Sequence, residues 1–199
     1  NISDNTIVVF FSDNGGVEWY NFSDNGVLRG IKGDFFEGGI RVPFTMQWPN
    51  KIKAGIKYDK PIIALDIFAT AAAAASAEKY IKNEIDGVDL LPYINGEKSG
   101  LPHEYLFWQN PDKDIDVIRD ERYKYIRVKE DEFIFDLLND ISEENNIIST
   151  SQNIYNRLKS KFKEWEKDMI DPVFMDLRMG KEYDNLNPDR WYISNQEKQ

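Results

Sequence analysis

The chain has 199 residues, 41% hydrophobic and 14% aromatic, which suits a folded protein with a real core rather than a disordered one. Its 35 acids against 25 bases give a net charge of −10, which argues against nucleic acid and anionic membrane as partners. It has no cysteine, hence no disulfide or thiolate metal site, and no stretch approaches the roughly 18 apolar residues of a membrane span.

Residues 1–5 form a polar lead-in. Ile7-Val8-Val9-Phe10-Phe11 is an unbroken β-branched and aromatic run, predicted to be a strand buried on both faces, as in a parallel sheet. It ends at Ser12-Asp13-Asn14-Gly15-Gly16. In α/β sheets ligands gather beyond the carboxyl ends of strands. Asp13 brings a charged oxygen there and Asn14 a neutral one, a donor pair suited to a hard cation. Asp-Asn-Gly is also a common turn, and Asp24-Asn25-Gly26, with no strand before it, reads as a turn only. Leu28-Arg29-Gly30-Ile31-Lys32-Gly33 follows, then Phe36-Glu37-Gly38-Gly39-Ile40-Arg41-Val42-Pro43. Lys32, flanked by flexible backbone, is a mobile point charge for an anionic oxygen. By residue chemistry alone a solvated loop lysine is the preferred reading.

Phe44-Thr45-Met46-Gln47-Trp48 is predicted as a second short strand, bounded by Pro43 and by Pro49-Asn50. Residues 51–60 read as a solvated connection. Residues 61–77 (PIIALDIFATAAAAASA) are predicted as a helix with Pro61 in its first turn and Asp66 making a polar contact within the fold. Residues 84–100 carry turn signals, and a boundary is placed near Gly100. Beyond it, short apolar runs at 105–108, 116–119, 123–128 and 133–136 predict an antiparallel meander with one wet face. Arg119, Arg122 and Arg127 read as solvent-facing strand residues, with contact to an anionic substrate as the sharper alternative. His103, the only histidine, reads as a surface or packing residue. Ile154, Leu158, Phe162, Trp165 and Met169 follow helical spacing, with Asp171-Pro172 as the stop. That helix should cover the meander, and residues 171–199 should run as an extended arm.

Two of these stretches carry a family resemblance. Val8 to Gly16, followed by Leu28 to Pro43 with its Lys-Gly and Glu-Gly-Gly-Ile-Arg-Val-Pro elements, resembles the carboxyl-terminal half of the sulfatases, in the alkaline-phosphatase-like superfamily. Asp86-Gly87-Val88-Asp89-Leu90-Leu91-Pro92 and Phe135-Asp136-Leu137-Leu138-Asn139-Asp140 resemble later family segments. By position, the resemblance implies that Asp13 and Asn14 are ligands to Ca²⁺, with Mg²⁺ the lesser alternative. It implies that Lys32 contacts the sulfate and stabilises its charge. The family's formylglycine nucleophile arises in a Cys/Ser-x-Pro-x-Arg motif upstream of this strand, and no residue here matches it. The family's first pair of aspartate ligands and its upstream histidines are also unmatched.

The expected fold class is therefore α/β, a partial alkaline-phosphatase-like sheet in residues 1–100, followed by a small α+β subdomain in residues 101–199. The expected function is that of a carboxyl-terminal fragment of a metal-dependent sulfatase, inactive by itself. Two alternatives stay open: a phosphoryl or phosphonate ester hydrolase of the same superfamily, and a non-catalytic interaction module. The resemblance implies a sulfated small molecule or glycan as substrate. Exposed sheet edges would offer a route to homo-oligomers. A periplasmic or secreted location would fit the family, and these residues hold no signal region.

Overall fold

The computed structural model of the chain describes residues 2–17 and 23–170. In chain order its elements are β1 (Val8–Phe11), α1 (Glu37–Ile40), β2 (Phe44–Gln47), α2 (Asp66–Ala74), α3 (Leu91–Ile94), β3 (Leu106–Asn110), β4 (Ile115–Arg119), β5 (Tyr123–Val128), β6 (Asp131–Asp136) and α4 (Gln152–Glu166). The class is mixed α/β with antiparallel sheets. The chain falls into two compact units. The first joins Asn1–Asp13, Val42–Leu106 and Arg119–Arg122; the second joins Asn14–Arg41, Phe107–Ile118 and Tyr123–Gln199. No described helix is long and apolar enough to cross a membrane.

In the first unit β1 pairs antiparallel with β2, in a register that sets Val8 against Gln47 and Phe11 against Phe44. This corrects the expectation of a parallel, doubly buried strand. Phe10 is 73% exposed and Val8 50%. An unbroken apolar run asks for apolar cover on both faces but does not specify the direction of its neighbour. Here the only described partner is a four-residue antiparallel strand. Trp48 closes the end of β2; it is buried, and its indole N–H donates to Asn5 Oδ1 at 3.2 Å.

The helix expected over 61–77 is shorter, α2 running only from Asp66 to Ala74. Pro61 is not in its first turn. The Asp66 carboxylate reaches back to accept the Ile63 N–H at 2.9 Å, so residues just before α2 are held in a turn. Side-chain acceptors of this kind compete with helical bonding. Asp66, Ala69, Thr70 and Ala72 form the buried face, and Thr70 Oγ1 accepts the N–H of fully buried Leu90 at 3.0 Å. The segment expected as loop beyond residue 84 contains one helical turn, α3, closed by Gly96 at φ +74°.

The second unit contains the meander, ordered β3-β4-β5-β6 as predicted. Between β5 and β6, Tyr123 faces Asp136 and Val128 faces Asp131. Phe36, Ile115, Val117, Ile126, Phe135 and Leu137 form its core. A single wet face is not what forms, because all five residues of β4 are buried. α4 presses Leu158 and Phe162 inward, and Trp165 stacks on Phe107 at 4.9 Å between ring centres. α4 ends at Glu166, so Met169, placed on its apolar stripe by spacing, lies beyond it and is 42% exposed. Asp171-Pro172 and the predicted arm lie outside the described residues.

Candidate functional site

Asp13 follows the end of β1 and is exposed; Asn14, next in the chain, opens the second unit and is half-buried. What comes after Asn14 is fixed by backbone contacts. The Gly15 N–H donates to the Gly39 carbonyl at 2.9 Å. A Cβ added to Gly15 would stand 1.6 Å from the Gly38 carbonyl oxygen, so only glycine fits there. The Gly16 carbonyl accepts the amide of Lys32 at 3.2 Å. The turn after Asn14 and the turn carrying Lys32 are thus bonded to each other within one unit.

Asn25 locks the same place. Its side-chain oxygen accepts the Gly16 N–H at 2.9 Å, and its amide nitrogen donates to the carbonyls of Gly16 at 3.2 Å and Gly30 at 3.0 Å. The prediction that Asp24-Asn25-Gly26 is only a turn is therefore incomplete. Asp24 does form the turn, accepting the Gly26 N–H at 2.7 Å. Asn25 is a three-bond clamp on the loops around Asn14 and Lys32.

The Lys32 turn is shaped by Gly30 and Gly33, at φ +87° and +93°, where L side chains are strained. Asp34 Oδ2 accepts the Ile31 N–H at 2.9 Å. Burial raises the Asp34 pKa above its ordinary value, with that hydrogen bond and Arg29 opposing the rise. The Lys32 side chain is exposed, and among the described residues no hydrogen bond or ion pair engages its ammonium.

α1 lies against this turn. Gly38 donates its N–H to the Arg29 carbonyl at 2.6 Å, and a Cβ on Gly38 would strike the carbonyls of Gly30, Arg29 and Leu28 at 2.3 to 2.8 Å. Beneath α1 is a charged core absent from the sequence reading. Lys124, Glu37 and Glu143 are each fully buried, with the Lys124 ammonium 3.1 Å from Glu37 and 2.9 Å from Glu143. Glu143 has φ +55°, and its Oε2 accepts the Glu37 N–H at 2.6 Å. Burial raises the Glu143 pKa above the usual carboxylate value, with Lys124 opposing. The one weak signal in sequence was a lysine between two tyrosines in a short strand.

The other candidates lie elsewhere. Arg119 is buried and donates to the carbonyls of Asp120 and Glu121, so it is not the solvent-facing residue expected. Arg127 is bound by Asp114 and Asp116. His103 is a packing residue whose Nε2 lies 2.7 Å from Asp66 Oδ1. Asp66 also accepts the Val88 N–H at 2.9 Å.

As donors, a carboxylate and an amide carbonyl fit Ca²⁺ in kind but supply only part of the six to eight oxygens it takes. Among the described residues no group of three or more His, Cys, Asp or Glu could hold a metal ion.

Residues 32–168 match the protein family described as N-sulphoglucosamine sulphohydrolase, C-terminal. The chain belongs to the sulfatase family. Among curated relatives, the sulfatase YdeN of Escherichia coli (strain K12) is 36% identical over 135 residues, covering 65% of this chain and 24% of that protein. Human steryl-sulfatase is 39% identical over 113 residues, covering 53% of this chain and 19% of that protein. The chain thus spans about a quarter or less of these sulfatases' length. Among solved structures, Ps i-CgsB matches 87% of this chain and 39% of its own, with a TM-score of 0.75 and 30% identity. The same protein in complex with k-i-k-neocarrahexaose matches 94% and 42%, with a TM-score of 0.76 and 28% identity.

Proposed function

We propose that this chain is the carboxyl-terminal portion of a metal-dependent sulfatase that hydrolyses a sulfate ester. Asp13 and Asn14 would hold the metal and Lys32 would bind the sulfate. The observation that carries this reading is the backbone bond between Lys32 and Gly16, which keeps an exposed ammonium in register with the turn that Asn14 begins. Family membership supports the reaction class, and the complex of a structural neighbour with k-i-k-neocarrahexaose supports a sugar as the carrier of the sulfate.

Each residue has a task. The Asp13 carboxylate and Asn14 carbonyl would anchor Ca²⁺ by hard-oxygen contacts, Mg²⁺ being less suited to such a loop pair. The bound cation would draw charge from a sulfate oxygen as a Lewis acid. The Lys32 ammonium would meet a second sulfate oxygen and strengthen its hold as negative charge develops there, which lowers the barrier rather than only the binding energy. The nucleophile, a formylglycine in this reading, is matched by no residue of the 199, so the isolated chain should not turn over.

The coding sequence upstream of Asn1 provides a direct test. A Cys or Ser in a Cys/Ser-x-Pro-x-Arg motif, preceded by an Asp-Asp pair, is the expected result. A threonine or an unmodifiable residue in that place would overturn the sulfatase reading in favour of a phosphoryl-ester or non-catalytic protein.

A further inference from the structure

Lys124 lies inside β5 with no exposed surface, between two carboxylates that are equally buried. Its ammonium donates to Glu37 Oε1 at 3.1 Å. It lies 2.9 Å from Glu143 Oε1, near enough for an ion pair but misaligned for a hydrogen bond. From this point two routes run to the Lys32 turn. Through Glu37, Lys124 fixes α1, whose Gly38 N–H grips the Arg29 carbonyl and whose Gly39 carbonyl receives the Gly15 N–H. Through Glu143, it fixes a carbonyl that accepts Arg29 Nη1 at 2.8 Å, while the guanidinium lies 4.1 Å over the Phe36 ring. Arg29 stands three residues before Lys32. A buried charged group of this kind is a poor source of stability, since apolar residues of similar volume often do as well or better. Its distinguishing property is geometric: a rigid strand, a helical turn and a strained residue at φ +55° meet at one ammonium.

We propose that Lys124 is a positioning residue, holding Glu37 and Glu143 so that α1 and the Arg29–Gly33 segment present Lys32 in fixed register with the turn after Asn14. Lys124 touches no substrate. The assignment rests on reading Lys32 as the sulfate-binding lysine.

The test uses the full-length protein in three forms: parent, K124R, and K124M/E37Q/E143Q. The triple variant removes all three charges together, so no unpaired carboxylate is left buried. Two readouts are taken. Amide exchange is followed at Gly15, Lys32 and Gly38, and kcat and KM are measured on an aryl sulfate. In the folded triple variant, exchange at these amides should quicken and kcat should fall about tenfold to a hundredfold, with KM changed by less than about threefold. K124R, which keeps the charge, should recover most of kcat. Unchanged exchange in a folded triple variant would overturn the proposal. So would loss of the fold in that variant, because the network would then hold the whole unit together. If the parent hydrolyses no sulfate ester, the function reading fails, and the exchange result alone decides whether Lys124 sets the turn.

Discussion

The amide of Lys32 donates to the carbonyl of Gly16 at 3.2 Å, so two turns that are sixteen residues apart in sequence act as one piece of backbone. The candidate site depends on that piece more than on any side chain at its surface.

Asn25 should therefore matter beyond its turn. N25A removes one acceptor and two donor contacts from Gly16 and Gly30. Stability measured by urea unfolding should fall by about 1–3 kcal/mol, the cost of leaving partly buried backbone groups unpaired. N25D keeps the acceptor but sets a second carboxylate oxygen against the carbonyls of Gly16 and Gly30, so it should lose at least as much.

Gly38 has no room for a methyl group, with three carbonyl oxygens inside 2.8 Å of where its Cβ would be. G38A should cost at least the roughly 1–3 kcal/mol of an overpacked core. Gly96 is the control. Its φ is +74° but nothing lies within 4 Å, so G96A should cost only about 1 kcal/mol of backbone strain. Equal melting shifts for the two would contradict the packing argument.

Asp66 holds the entrance of α2 by accepting the N–H groups of Ile63 and Val88 and by pairing with His103. D66A leaves both amides without their acceptor and should destabilise the chain by about 3 kcal/mol in chemical unfolding. A change below about 1 kcal/mol would mean water replaces the carboxylate without cost.

Glu132 binds α4 to β6, accepting from Tyr125, Tyr155 and Lys159 at 2.6, 2.9 and 2.7 Å. Burial alone would raise its pKa, but these donors outweigh it and hold the carboxylate below its ordinary 4.5. A carboxyl with a depressed folded pKa binds fewer protons folded than unfolded. Its stabilisation is then present above about pH 4.5 and is lost as pH falls through the folded value. Melting temperature should drop on acidification through that window, and E132Q should show a shallower drop. Parallel profiles would contradict the assignment.

Much of this was legible before any coordinates. The four-stranded meander and the apolar stripe of α4 follow from short apolar runs at close spacing and from helical periodicity, although the burial of every residue of β4 does not. Asp13, Asn14 and Lys32 are proposed as site residues because they sit in contiguous motifs. Asn25 was missed, since its three bonds depend on where Gly16 and Gly30 arrive in space. Lys124 and Glu143 were missed for the same reason. A charge in a short strand reads as a wet position unless its partners, here 87 residues upstream and 19 downstream, are known to converge on it. The start of α2 was misjudged because alanine-rich propensity says nothing about an aspartate that bonds backwards. The direction of β1 was misjudged because hydrophobicity carries no polarity.

The most direct measurement is hydrolysis of an aryl sulfate by the full-length protein, as parent and as K32A, with and without a chelator. The account predicts turnover by the parent, loss of turnover in chelator with recovery on added Ca²⁺, and a fall in kcat of roughly a hundredfold or more for K32A. Turnover unchanged by both the chelator and K32A, or confined to phosphate esters, would contradict it.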